Sequence, residues 1–442
     1  MLPFADNTLA LAYGSGTQSA PLPEHWSVTT LRTAVPTGRR SEFSVVSEAL
    51  SAPIGAPPLH STVSPTDKLL VLVSDKTRRC RTAEFLPLLL EQIERAGVPD
   101  TKVRILFATG THPPQSDAER REILGDGIFE RYEVYEHDAR DTENCVCVGT
   151  TRFGTEIAVN RLVLWADRVL ATGTIVHHYF AGFGGGAKLF VPGIASYETA
   201  VTNHRRTLTD DGSFHPQCRD GQIEGNPVIE DIMDAMRFMP PTWYFAALLD
   251  EHGKIDDAVC GDLLLAHAEG CRRVGSRYHL PVPSPMDLCI VSTGGYPKDI
   301  NFIQSHKSLH HAAYVTREGG SIILLAECAE GIGNEQFMEW FAHPDEAAFR
   351  NALLTNYAMN AHTALAMREK SERFDIHFVS NLPDATVRQL GMKPAASLEA
   401  ALASCAPRVS ASAEVLVLEN GSLVVPRLKT ETAPPQKGSS RE

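Results

Sequence analysis

The 442-residue chain has no surplus of positive charge: 41 Lys and Arg stand against 54 Asp and Glu, a formal charge of −13. Such a balance repels a phosphate backbone unless cations gather locally. The longest basic run, K-T-R-R at 76–79, is too short to track a duplex, so nucleic acid is not an expected partner. Long apolar runs are also missing. The stretches at 69–73 and 322–326 are strand-length, far below the roughly 18 residues of a membrane span. The first twenty residues lack the basic-then-apolar order of a secretory leader. Nine cysteines are scattered with no C-x-x-C pair, an odd and dispersed set that reads as reduced thiols. The expectation is an acidic, soluble, cytoplasmic protein with no membrane partner.

Length and composition leave room for two to three ordinary globular domains, with 43% hydrophobic residues and 21% charged. Residues 1–45 carry short alternating runs, at 26–28 and 43–46, that suggest a small β-rich segment. From residue 69 apolar runs alternate with amphipathic windows: LLVLVS (69–74), TAEFLPLLLEQIERAG (82–97) and VRILFAT (103–109), then RVLATGTI (168–175). This is a βαβ pattern and favours a parallel sheet. A second run starts at MDLCIVSTGG (286–295), with a helical window at 299–318, the strand GSIILLAE (320–327), helical windows at 345–372 and strands near 375–379 and 414–418. HLPVPSPMD (279–287) has three prolines in nine residues and reads as a linker. The expected architecture is two α/β lobes with mostly parallel sheets, the active site in the cleft between them, and the small β-rich N-terminal segment. The N-terminal domain spans 1–280, the C-terminal domain spans 281–427, and 428–442 is a polar, disordered tail.

Polar motifs fall where the strands should end: SDKTRR (74–79), ATGTHPP (108–114), GTIVHHYFAGFGGGAK (173–188) and STGGYPKDINFIQSHK (292–307). Ligands in open α/β sheets bind beyond the carboxyl ends of strands. GFGGGAK (182–188) is neither a Walker A loop nor a G-x-G-x-x-G dinucleotide turn. Its glycines allow either tight turns alone or close approach to an anionic or planar ligand, with Lys188 as a charge or a covalent amine. His112, His178 and His204 lie in or beside glycine- and proline-bearing turns, with His177 adjacent, and suit metal ligation or acid/base work. Their spacing is unlike any short zinc pattern. Asp75 and Arg78 follow a strand; Gln304 and Lys307 share one helix face at i and i+3. Arg and Lys at such turns make a local trap for a small anion in a net-acidic protein.

The order and content of these four motifs resemble the lactate racemase family, the nickel-pincer-nucleotide enzymes. The resemblance runs from L-P-F-A-D-N at the N-terminus to the last strand near Val425, and is strongest over HHYFAGFGGGAKLFVPGIASYETAVTNH (177–204). It implies that Lys188 carries, through a thioamide, a pyridinium-3-thioamide-5-thiocarboxylic acid mononucleotide, and that His204 completes a square-planar nickel set, a geometry natural to Ni(II). It implies racemisation or epimerisation of a 2-hydroxy acid by reversible hydride transfer from Cα to that group, through a bound 2-oxo acid. His112 and His178 would then serve as bases on opposite faces. Arg78, Gln304 and Lys307 would hold the substrate carboxylate or polarise the carbonyl, and Asp75 would contact the cofactor. His177 is not carried over and reads either as a support to the site residues or as structural. Partners implied are a small 2-hydroxy acid and the enzymes that mature the cofactor.

The departures from the family pattern concern the substrate. Arg79 stands where the lactate enzyme has proline, and Ile303 where it has an aromatic. His362, in N-A-H-T-A, stands where that enzyme has a tryptophan bordering the substrate side chain. Imidazole in place of an apolar wall implies a larger or more polar substrate, such as a dicarboxylic or sugar-derived 2-hydroxy acid. Three other readings compete: a catalytically silent ligand-binding paralogue, a dehydrogenase using free nicotinamide cofactor, and a zinc hydrolase.

Overall fold

A computed structural model describes residues 8–32, 40–78 and 80–429. Arg79, the L-P-F-A-D-N opening and the tail from residue 430 lie outside the described residues. The chain forms two compact units: a smaller one from 8–32, 277–349 and 363–429, and a larger one from 40–276 and 350–362. Among the described residues no helix is long and apolar enough to cross a membrane.

The chain opens on a hairpin, β1 (Thr8–Tyr13) and β2 (Gly16–Pro21), followed by β3 (Ser27–Leu31). All three belong to the smaller unit rather than to the first lobe. The run at 43–46 is not a strand. It lies in the helix Glu42–Ser51, because Ser41 caps that helix by accepting the Ser44 N–H.

The larger unit is built on β4 (Leu69–Ser74), β5 (Val103–Ala108), β6 (Glu133–Glu136), the hairpin β7 (Cys145–Thr150) and β8 (Glu156–Asn160), β9 (Arg168–Thr174), a short pair β10 (His177–His178) and β11 (Gly182–Phe183), β12 (Thr242–Leu249) and β13 (Ile255–Asp262). Every residue of LLVLVS in β4 is buried, as a strand covered on both faces requires. The helix Thr82–Arg95 turns Phe85, Leu86, Leu89 and Ile93 onto the sheet, where Phe85 packs on Phe245 at 4.7 Å. The main sheet runs β13-β12-β9-β4-β5-β6, parallel except for β13. From β4 the chain builds outward through β5 and β6, then returns to lay β9 on the other side of β4. The strand order therefore reverses between β4 and β9, and in open α/β sheets ligands bind at the carboxyl ends beside such a reversal.

The smaller unit adds β14 (His279–Val282), β15 (Met286–Ser292), β16 (Thr316–Leu325), β17 (Asp375–Val379), β18 (Lys393–Ala395), β19 (Glu414–Leu418) and β20 (Val425–Leu428). Its sheet runs β18-β17-β16-β15-β19-β3, all parallel. Val28 pairs with Val415, and Leu9, Leu11 and Trp26 share a core with Leu288 and Ile290. That burial is what places the N-terminal segment here. The proline-rich stretch expected to be a linker instead contains β14, whose only strand partner among the described residues is β20. An edge position tolerates Pro281, which has no N–H to donate. The helical window at 345–372 is two helices, Glu346–Thr355 and Ala361–Arg373, separated by Asn360 at φ 69°.

Burial fixes a pH response. His137 in the larger unit and His306 in the smaller are buried, and burial lowers the pKa of both imidazoles despite a 2.9 Å bond from His137 Nε2 to the Ala195 carbonyl. The unfolded chain then takes up protons near pH 6.5 that the folded chain refuses, so stability rises with pH through that window. Thermal unfolding scans should show the midpoint falling as pH drops from about 7 towards 5, at up to about 1.4 kcal/mol per group per pH unit. A flat profile would show that these histidines are protonated in the fold.

Candidate active site

Three elements at the reversal of the strand order bring the chemistry together. Directly after β4, Asp75 is 4% exposed. Its Oδ1 accepts from the Thr77 hydroxyl at 2.7 Å and its Oδ2 from His112 Nδ1 at 2.5 Å, His112 lying in the turn after β5. Burial alone would raise the Asp75 carboxyl. The hydrogen bond from His112, the Arg78 charge and the Thr77 hydroxyl outweigh it, and the carboxyl sits below its ordinary value. Asp75 is thus a carboxylate that orients an imidazole, holding the proton on Nδ1 and leaving Nε2 to act. Arg78, exposed in the short turn Lys76–Arg78, donates to the Thr77 hydroxyl at 2.7 Å.

The second group forms around one ring, Phe180, which is 3% exposed. Ring centroids of His178, His204 and His362 lie 4.5, 5.1 and 4.8 Å from it, all edge-on, and Lys188 Nζ stands 5.2 Å from its centroid. Three residues of the 177–204 run and one from far along the chain, His362, therefore share one hub. His178 Nδ1 faces the Ala181 N–H at 3.4 Å. His204, on the helix Tyr197–Arg205, donates from Nδ1 to the Ala200 carbonyl at 2.8 Å. Burial, with the Lys188 charge added, pushes its pKa down to about 3 against the raising effect of that bond. His204 is neutral at any working pH, with its Nε2 lone pair available, which is the state a metal-ligating imidazole needs. An amine and a fixed, neutral imidazole within one shell fit a lysine-borne nucleotide that holds a metal. The Tyr197–Arg205 helix is itself braced, since Asn203 and Arg206 both bind the buried Asp231 carboxylate.

The glycine loop owes its glycines to the protein's own packing. Gly185 and Gly186 have φ of 75° and 59°, and an added Cβ would lie 2.5 Å from the Thr174 carbonyl and 2.6 Å from the His267 ring, respectively. His267 Nε2 donates to the Gly184 carbonyl at 2.9 Å, and the Tyr244 hydroxyl accepts the Gly186 N–H at 2.9 Å. These contacts hold Lys188 in its short 3-10 turn, Gly186–Leu189. Gly185→Ala should cost about 1–3 kcal/mol from its left-handed backbone alone, read as a lowered unfolding midpoint. An unchanged midpoint would mean the loop relaxes freely.

Of the remaining expected residues, the His177 side chain is buried with Nδ1 3.6 Å from Asp220 and its ring tilted by 36° against Phe183 at 4.8 Å. In the smaller unit, the helix Phe302–Ala313 carries Gln304 and Lys307, and Lys307 Nζ donates to Gln304 Oε1 at 2.9 Å. Phe180, Tyr244, His267 and Tyr357 were not singled out from the sequence. Phe180 lies inside H-H-Y-F-A-G-F, where its place between two histidines and the glycine loop was the available signal. The other three come from distant segments and carry none.

Fold and site together define an α/β enzyme with one lysine and several histidines at the carboxyl edge of a parallel sheet. Residues 13–215 match the lactate racemase N-terminal domain and residues 282–425 the lactate racemase C-terminal domain. A lactate racemase of Thermoanaerobacterium thermosaccharolyticum is 35% identical over 301 residues, 68% of this chain and 69% of that protein. One from Lactiplantibacillus plantarum is 30% identical over 391 residues, 87% and 91% of the two chains. The structure of the T. thermosaccharolyticum lactate racemase apoprotein superposes with a TM-score of 0.86 at 29% identity, covering 95% of this chain and 100% of that one. A Thermotoga maritima protein shares the fold at a TM-score of 0.63 and 18% identity, covering 88% and 98%. The chain belongs to the lactate racemase family and is an isomerase.

Proposed function

We propose that the chain racemises or epimerises a 2-hydroxy acid larger or more polar than lactate, by reversible hydride transfer from its Cα, with a nickel-pincer nucleotide carried on Lys188. The observation that carries this is the Phe180 hub, where the Lys188 amine and the neutral His204 imidazole share one shell. When bound, that group supplies a hydride acceptor. Lys188 is assigned its covalent attachment and His204 its nickel, and separate maturation enzymes are the partners that would load it.

The chain's own residues handle the protons. His112, its Nδ1–H anchored on Asp75, offers Nε2 to take the substrate's hydroxyl proton; His178 does the same for the other enantiomer. Asp75, first assigned to the cofactor, is better read as the positioning partner of His112. A bound 2-oxo acid must be kept from leaving before its other face is reduced, and a carboxylate clamp does this. Arg78 is assigned to it by bidentate geometry, and Lys307, bonded to Gln304, is assigned to the substrate as a point charge. His362, on the Phe180 hub, supports a polar substrate side chain.

Peptide mass analysis across Lys188, with nickel content, tests the cofactor on protein made alongside the maturation enzymes. The expected result is a nucleotide-sized adduct with about one nickel per chain. An unmodified Lys188 under conditions that load a lactate racemase would favour a ligand-binding paralogue. For the substrate, kcat/KM should be higher for malate or an aldonate than for lactate, and a clear preference for lactate would remove that part of the reading.

A further inference from the structure

His137 belongs to none of the site motifs, yet its bonds reach towards two site residues at once. It directly follows β6 and is buried, as are Thr109, Asn160 and Ala195 around it. Its backbone N–H donates to the Phe107 carbonyl at 3.2 Å, carrying the β5–β6 ladder one step further. Its carbonyl accepts from the Thr109 hydroxyl, and the Thr109 carbonyl accepts the His112 N–H at 3.2 Å. Its ring bonds the Ala195 carbonyl at 2.9 Å. The next residue, Ser196, caps the helix Tyr197–Arg205 that carries His204 by accepting the Thr199 N–H. One file of hydrogen bonds thus leads from His112 to the start of the His204 helix. The chain after His137 follows the same course: the Ala139 carbonyl accepts the Tyr197 N–H at 2.8 Å, and the Arg140 guanidinium lies 3.9 Å from the Tyr197 ring centroid.

The imidazole has one way to fit this file. A carbonyl only accepts, so the Ala195 bond puts the ring proton on Nε2. Nδ1 then accepts from the Asn160 side-chain amide at 3.4 Å, and that amide is oriented by its own oxygen taking the Leu162 N–H at 3.1 Å. Both ring nitrogens are committed, as burial of a polar ring demands. Burial lowers the His137 pKa, against the Ala195 bond and the Asp138 and Asp141 charges that raise it, so the ring is neutral near pH 7.

We propose that His137 is a positioning residue: as an Nε2–H imidazole it sets the place of the His112 base against the helix that presents His204, and so governs one half reaction more than the other. The inference rests on the reading of His112 and His204 given above and adds the residue that couples them. The His204 helix is braced a second time through Asp231, so cutting the file frees the His112 turn more than the helix. The bond from the Gly110 N–H to the Gly193 carbonyl at 2.8 Å keeps that freedom small. His178, on β10, is not part of the file. A small misplacement of a reacting group is costly in rate, and here it falls on one base.

Three variants test this. His137→Phe keeps a ring and loses both imidazole bonds, His137→Gln keeps a donor for Ala195, and Thr109→Val cuts the file at the hydroxyl. In the full wild-type chain with 15N-labelled histidine and no cofactor loaded, NMR should show His137 protonated at Nε2 and bare at Nδ1. The His112 Nδ1–H signal should be sharp, should broaden in His137→Phe and Thr109→Val, and should recover in His137→Gln. In loaded enzyme, single-turnover formation of 2-oxo acid by His137→Phe should slow about 10- to 100-fold for the enantiomer that His112→Asn cannot oxidise, and less than about threefold for the other, with KM little changed. A proton on Nδ1 of wild-type His137 overturns the proposal, and that measurement needs no variant to fold. So does a His112 signal that neither His137→Phe nor Thr109→Val alters, or a loss shared equally by both enantiomers, the mark of a merely structural role. Adduct mass at Lys188 separates the two levels: its absence removes the cofactor reading, while the NMR results stand on their own.

Discussion

Replacing Lys188 by arginine should abolish racemisation and leave no adduct on the chain, while the fold survives. Arginine keeps the positive charge beside Phe180 and His204, so any role of Lys188 as a charge alone would persist. What arginine lacks is an amine that can be acylated, because its guanidinium stays protonated. On the proposed reading, in which the group on Lys188 is the hydride acceptor, the expected loss is at least about 10⁴-fold in kcat/KM, since the uncatalysed removal of hydride from a saturated carbon is slow. Lys188→Ala should lose activity equally and also relieve the charge that helps depress His204. A Lys188→Arg protein that still turns over hydroxy acids would sink the covalent assignment. It would turn attention to a dehydrogenase using free nicotinamide cofactor.

The second large effect separates the two histidines. Full racemisation uses both faces, so His112→Asn and His178→Asn should each lower kcat by about 10²–10⁴-fold, the usual contribution of one acid/base group. The half reactions should differ. Each variant should still oxidise one enantiomer, so acid quenching of loaded enzyme in single turnover should release 2-oxo acid from one enantiomer only, with opposite choices in the two variants. Asp75→Asn should mimic His112→Asn in direction with a smaller loss, because it removes the 2.5 Å bond that sets the His112 tautomer without removing the imidazole. Equal 2-oxo acid from both enantiomers in either variant would exclude the one-base-per-face arrangement.

Several features of the chain were legible before the fold. LLVLVS reads as a strand of a βαβ pattern, and the helix after it shows its apolar face in Phe85, Leu86, Leu89 and Ile93. The site residues were legible as motifs because glycine, proline and histidine cluster at strand ends for backbone reasons that survive in one dimension. Misreadings came where the local signal is ambiguous. A short run such as F-S-V-V at 43–46 fits helix or strand, and the Ser41 cap decides it. Prolines at 279–287 read as a linker, but Pro281 sits in a strand with one neighbour, where a missing N–H costs nothing.

By itself the sequence determined the alternation of strands and helices, the acidic charge balance without a long basic run, and the site motifs in their family order. Only the tertiary structure decided that β3 closes the far edge of the second sheet, that Asp75 serves His112, and that Phe180 gathers Lys188, His178, His204 and His362. It alone joined Tyr357 to His362. Local patterning follows from backbone periodicity, which neighbours in sequence carry. Pairings such as Val28 with Val415, or Phe180 with His362, depend on which surfaces meet after burial, and no stretch of sequence records the address of its partner.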